Sequence, residues 1–174
     1  SEVERLEEEA KRLLEELKRL VERVVREAER SVEKVRDSVR RSEEEARRLL
    51  EEITKDDGRN ELVETLERLA EELVRRSKKL VEEHEKRSRD LVRELEELVK
   101  RVEEKIRDVV RKLRNGKDVD KVVEDLKDDI RKVKKRIEEV LDENRKSVRK
   151  LDEDDRRLVD ELRRLVKEVK DKVR

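Results

Sequence analysis

The chain has no cysteine, proline, methionine, phenylalanine, tyrosine, tryptophan or glutamine, and its 174 residues include two glycines and a single histidine. Without cysteine there is no disulfide, no thiolate nucleophile and no thiolate metal site, and the redox compartment stays open. Without aromatic rings there is neither a stacking platform for nucleic-acid bases nor an interfacial anchor for a membrane surface. Charge of one sign is missing too, because 52 basic residues balance 52 acidic ones. No net positive field therefore draws polyanions. No apolar run approaches the ~20 residues of a membrane span. No signal or transit pattern is visible in an opening that runs Ser1-Glu2-Val3-Glu4, so a soluble chain without a targeting address is expected. What remains is 60% charged residues and 32% hydrophobic ones. Such a mixture favours disorder chiefly when net charge is high. Here the net charge is zero, and periodicity decides.

Both glycines lie in the only two non-periodic stretches, Thr54–Asn60 and Arg114–Asp118. Each reads as a helix stop and restart. Gly58 or Gly116 supplies the left-handed residue, and Asn60 or Asp118 caps the next helix. Ser1 and Glu4 form a capping box at the start. Glu2, Glu4 and Glu7 to Glu9 oppose the positive helix end, and Lys170, Lys172 and Arg174 the negative one. The chain thus divides into helices over 2–56, 61–114 and 119–173, each about 80 Å long, within a single domain over 1–174. In the first helix the inward line runs Val3, Leu6, Ala10, Leu13, Leu17, Leu20, Val24, Ala28, Val35, Val39, Ala46, Leu49 and Ile53. Its average step of about 3.57 residues lies between a coiled coil and a straight helix, which predicts weak left-handed supercoiling. Leu14, Val21, Val25 and Leu50 widen the stripe, as a helix facing two neighbours requires.

Short loops make sequential helices antiparallel neighbours. Placing Ile53 opposite Leu62 and Leu113 opposite Val119 fixes the register from the loops alone. The cores then provide an independent check. Leu13 meets Val102 and Ile130, Leu20 meets Leu95 and Ile137, Val24 meets Leu91 and Leu141, and Leu49 meets Leu66 and Val166. In most layers apolar residues coincide on all three helices to within one position. The expected fold is all-α, an up-down-up antiparallel three-helix bundle.

The same register aligns the polar exceptions. Ser31, His84 and Ser147 fall in one layer, and Ser88 and Asn144 in another. Ser38 and Ser77 meet Asp154 or Asp155, with Ser42 one turn beyond Ser38. A buried hydroxyl or imidazole left unbonded costs roughly 1–3 kcal/mol. Connected clusters remove that cost, because serine, asparagine and neutral histidine each both donate and accept. Layers that match in only one register would penalise slipped or alternative pairings. Idealised helices, Asp-Gly and Asn-Gly loops, a reduced alphabet and aligned polar layers together resemble computationally designed (de novo) helical bundles with buried hydrogen-bond networks. The likeness covers the whole chain in style and carries over no functional residue. It implies a highly stable scaffold, suited as a component of switches or assemblies.

Chemical readings of these residues are weaker than structural ones. His84 lacks the further His or Cys ligands of a metal site, and a closed layer offers no pocket for a general base. Held neutral by burial, it would weaken the fold as pH drops below the unfolded imidazole's value of about 6.5. Asp154 and Asp155 resemble an acid/base pair, but consecutive helix residues point about 100° apart, so one faces inward. Basic runs such as Arg75-Arg76, Lys78-Lys79 and Arg131 to Arg136 are flanked by acids and read as solvated faces. No enzyme, cofactor, metal, nucleic-acid or membrane function is expected. The expectation is a monomeric scaffold whose polar layers set pairing and register. The alternative is a binding module whose three helices accept a partner helix, or that self-associates into a larger bundle. Natural long bundles such as spectrin-like repeats or membrane-bending domains fit less well, lacking here their core aromatics or basic face.

Overall fold

A computed structural model describes residues 2–57, 61–118 and 120–173, without the side chains of Asp56, Asp57, Lys172 and Val173. It contains three α-helices, α1 (Glu2–Asp57), α2 (Glu61–Arg114) and α3 (Asp120–Val173), and no strand among the described residues. The turn after α2 follows from its sequence. Gly116 takes φ of 71°, a conformation that a side chain would strain. The Lys117 amide then donates to the Lys112 carbonyl at 3.1 Å and the Gly116 amide to the Leu113 carbonyl at 3.1 Å. These two bonds close a Schellman motif. Two residues on, the Asp118 carboxylate accepts from the Asp120 amide at 3.1 Å and caps α3. The expected Ser1 cap, the turn through Gly58 and Asn60, the Leu113–Val119 pairing and the terminal charges on Lys172 and Arg174 lie outside the described residues.

The helices form the expected three-helix bundle. α2 runs antiparallel to α1 and α3, which are parallel to each other. Ion pairs between α1 and α3 hold one offset of 118 residues, at Glu16–Lys134, Glu45–Arg163 and Glu52–Lys170. Packing sorts the chain into two compact units, each drawing a segment from every helix. Unit 1 comprises Ser1–Glu29 with Arg87–Asn144, and unit 2 comprises Arg30–Lys86 with Arg145–Arg174.

Unit 1 has one continuous apolar core. Leu17 and Leu95 are wholly buried in it, with Val24, Val102, Ile130, Ile137 and Val140 beside them. Unit 2 has two cores. One gathers Val35, Val39, Val81 and Leu151, and the other Ala46, Ile53, Val63, Leu66, Leu162 and Val166. Between the two, along each helix, come Ser42, Ser77 and Asp155. A polar layer thus divides what would otherwise be one core.

One expected pairing is corrected. Leu62 does not face Ile53; it is 46% exposed, and Val63 is fully buried in the same cluster as Ile53. Val63 begins the buried series Leu66, Ala70, Ser77, Val81, His84 and Ser88, in steps of three and four except between Ala70 and Ser77, where half-buried Leu73 and Val74 fill the gap. Leu62 sits about 100° off that line.

Burying a Leu, Ile or Val side chain contributes roughly 1.5–3 kcal/mol, whereas an exposed ion pair contributes about 0–1 kcal/mol. The cores therefore dominate stability and the surface charges adjust it. The best-formed surface pair is in unit 1, where the Arg136 guanidinium donates to both Glu94 oxygens at 2.9 and 3.0 Å and reaches Glu143 at 3.1 Å. These bonds hold the Glu94 carboxyl below its ordinary 4.5, against a smaller opposing effect of desolvation, and raise Arg136 further. A lowered carboxylate contributes stability that is complete above its unfolded value and is lost as pH falls through the folded one. Glu94→Gln is therefore expected to lower the urea-unfolding free energy by at most about 1 kcal/mol at pH 7. The difference from the parent disappears by pH 2–3. A difference unchanged by acid would assign the loss to packing.

Candidate functional site: buried polar layers

Polar side chains reach the interior because they occupy steps of the same three-and-four series that places the leucines and valines. In unit 1, Ser88 and Asn144 are both buried, and the Ser88 hydroxyl donates to Asn144 Oδ1 at 3.0 Å. This joins α2 to α3.

Unit 2 holds two clusters. In the first, His84 of α2 is 2% exposed. Its Nε2 lies 3.3 Å from the Ser31 hydroxyl of α1, and its Nδ1 lies 3.0 Å from the Ser147 hydroxyl of α3. A neutral imidazole has one N–H and one bare nitrogen, so one serine accepts and the other donates. Serine can do either, which makes it suited to both sides of the ring. The second cluster centres on Asp155 of α3, 3% exposed. The Ser77 hydroxyl of α2 donates to Oδ1 at 3.0 Å, and the Ser42 hydroxyl of α1 donates to Oδ2 at 2.5 Å. Ser42 also lies 3.1 Å from the Ser38 carbonyl, one turn back on its own helix. A carboxylate only accepts, and here both neighbours are hydroxyls. One carboxylate therefore ties all three helices together.

Ser31, His84 and Ser147 come together, as do Ser88 and Asn144, whereas of the expected grouping of Ser38 and Ser77 with Asp154 or Asp155 only Ser77 meets one of the paired aspartates. That aspartate is Asp155. Asp154 is half-buried beside Leu80 and Leu158 and outside the cluster. Ser38 departs from its expected partner, since it donates to Asp152 at 3.3 Å, and Ser42 takes the place beside Asp155. Asp152 is the residue the sequence reading missed. Its signal was available, because a residue three before Asp155 shares its helix face.

No buried side-chain nitrogen or oxygen among the described residues lacks a hydrogen-bond partner. The layers thus avoid the penalty that isolated polar groups would incur. Among the described residues no three His, Cys, Asp or Glu side chains are grouped to hold a metal ion. Both nitrogens of His84 face serine hydroxyls inside the bundle, where a general base would need reach to a substrate proton. No described helix is long and apolar enough to cross a membrane. Comparisons of the chain with protein-family models, with curated proteins and with solved structures return no match.

Proposed function

We propose that this chain is a de novo designed structural scaffold without a natural biochemical activity, in which buried polar networks set helix pairing and register. One observation carries the reading. Ser31, Ser38, Ser42, Ser77, Ser88 and Ser147 are all the serines after Ser1, and every one bonds across helices. The two threonines differ. Thr54 and Thr65 bond to the carbonyl one turn back on their own helices. Hydroxyls placed for local helix chemistry would behave like the threonines; these serines reach a second helix. The absence of any family match is compatible with a designed origin. A uniform Leu/Val interior would tolerate shifted pairings at little cost, whereas a shifted polar layer leaves several groups unbonded at about 1–3 kcal/mol each.

The test separates stability from uniqueness. Ser31→Val, His84→Leu and Ser147→Val are combined in one chain, with spin labels at exposed sites on α1 and α3 of unit 2. Stability to urea is expected to stay equal or rise, because apolar replacement of a whole buried network is often neutral or stabilising. The inter-label distance distribution is expected to broaden, and light scattering to show species beyond the monomer. One narrow distance and a clean monomer would remove the register role. A parent chain that is itself dimeric would replace the scaffold by a binding module.

A further inference from the structure

We propose that a groove between α1 and α3 of unit 2 binds a free single-chain anionic amphiphile, a short alkyl sulfate or carboxylate. The headgroup sits among Lys34, Arg41 and Arg149, and the tail lies on Val35, Val148 and Leu151. These residues line a groove of about 250 Å³. Acids and bases are equal in number, and the neighbouring cations are paired, Arg36 with Glu85, Arg40 with Asp37 and Arg156 with Asp152. Lys34, Arg41 and Arg149 are exposed and have no ion-pair partner among the described residues. Lys34 and Arg41 are two helical turns apart and so share a face of α1. Arg149 comes to the same groove from α3.

Two carboxylates also line the groove, and both are already engaged. Asp155 is 3% exposed, with Ser77 and Ser42 on its two oxygens. Asp152 accepts from Ser38 at 3.3 Å and pairs with Arg156 at 3.1 Å. The unbalanced charge that a ligand meets is therefore positive. The floor is apolar, and Leu151 and Val35 belong to one of the unit's two cores. A guanidinium offers the paired donors that sulfate and carboxylate oxygens accept. The volume lies just below the ~300–1,000 Å³ usual for small-molecule pockets, which suits a short chain and not a folded partner. This binding property is independent of the scaffold reading.

Octyl sulfate, below its micelle-forming concentration, is the probe, with octyl glucoside, octyltrimethylammonium and inorganic sulfate as comparisons. Amide chemical shifts and calorimetry report binding to the full chain. Saturable shifts confined to residues 34–41 and 148–156 are expected for octyl sulfate, at least tenfold tighter than for any comparison compound. Arg149→Glu is expected to weaken binding at least tenfold, and Lys34→Glu similarly should the first variant lose its helical signal. Arg101→Glu, in unit 1, is expected to change nothing. Raising sodium chloride from about 0.05 to 0.5 M weakens the octyl sulfate complex, because the headgroup contacts are solvent-exposed. Equal binding of octyl glucoside, equal binding of inorganic sulfate, unsaturable shifts along the whole chain, or indifference to both charge reversals would each overturn the proposal.

Discussion

Replacing Ser42 and Ser77 together by alanine is expected to destabilise the fold by about 3–5 kcal/mol. Neither substitution opens much of a cavity, since each removes a single oxygen. The loss comes from what stays behind. Asp155 is 3% exposed and accepts from these two hydroxyls, at 2.5 and 3.0 Å, and Ser38 bonds to Asp152 instead. A carboxylate stripped of both donors keeps the cost of leaving water without the bonds that offset it. The converse change behaves differently. Asp155→Leu with Ser42→Val and Ser77→Val removes charge and donors together, and joins the two apolar clusters of unit 2 into one. That chain is expected to match or exceed the parent, by up to about 4 kcal/mol. Asp155→Ala alone falls between, because the Ser42 hydroxyl can retain the Ser38 carbonyl 3.1 Å away on its own helix. Urea unfolding followed by circular dichroism measures all three. A loss below about 1 kcal/mol for the double alanine variant, typical of an exposed site, would mean that water reaches Asp155 in solution.

How far the polar layers can be read from the sequence is set by the precision of the loops. The turns fix which residues lie opposite one another only to within a position, and one position on a helix is about 100° of rotation. That precision suffices for Ser88 with Asn144 and for Ser31, His84 and Ser147, each of which is polar with apolar or charged flanks. It fails where two acids stand side by side. Asp154 and Asp155 cannot be told apart by register alone, and the choice is made by Leu151 and Leu162, which lie on the buried face that Asp155 continues. Ser38 and Ser42 are one turn apart on α1, as Asp152 and Asp155 are nearly one turn apart on α3. Two nearly equal pairings were therefore available, and side-chain reach selected Ser38 with Asp152 and Ser42 with Asp155. Surface ion pairs are less legible still. In a chain that is 60% charged, most cations have several acids within reach, and exposed pairs differ by only tenths of a kcal/mol.

The buried face of α1 provides the second large effect. Leu17→Ala is expected to cost about 2–5 kcal/mol, and Leu20→Ala no more than about half as much. Sequence periodicity puts both on one inward line through Leu13, Leu17, Leu20 and Val24. The structure divides them. Leu17 is wholly buried in the core of unit 1, whereas Leu20 is partly buried and packs against its edge. The centre of the stripe runs Leu17, Val21, Val24 and Ala28, all at 8% exposure or less. The two lines share Leu17, Val24 and Ala28 and differ in between, because a helix with two neighbours presents a stripe wider than one row of residues. Removing the Leu17 side chain leaves a cavity that rigid helices on two sides cannot close, so the cavity cost adds to the lost burial. The gap left at Leu20 opens toward solvent and can relax or fill with water. Urea unfolding of the two variants at matched denaturant slopes gives the comparison directly. Equal losses would mean that α1 is turned in solution so that Leu20 shares the central line, and Val21→Ala would then be the mild substitution.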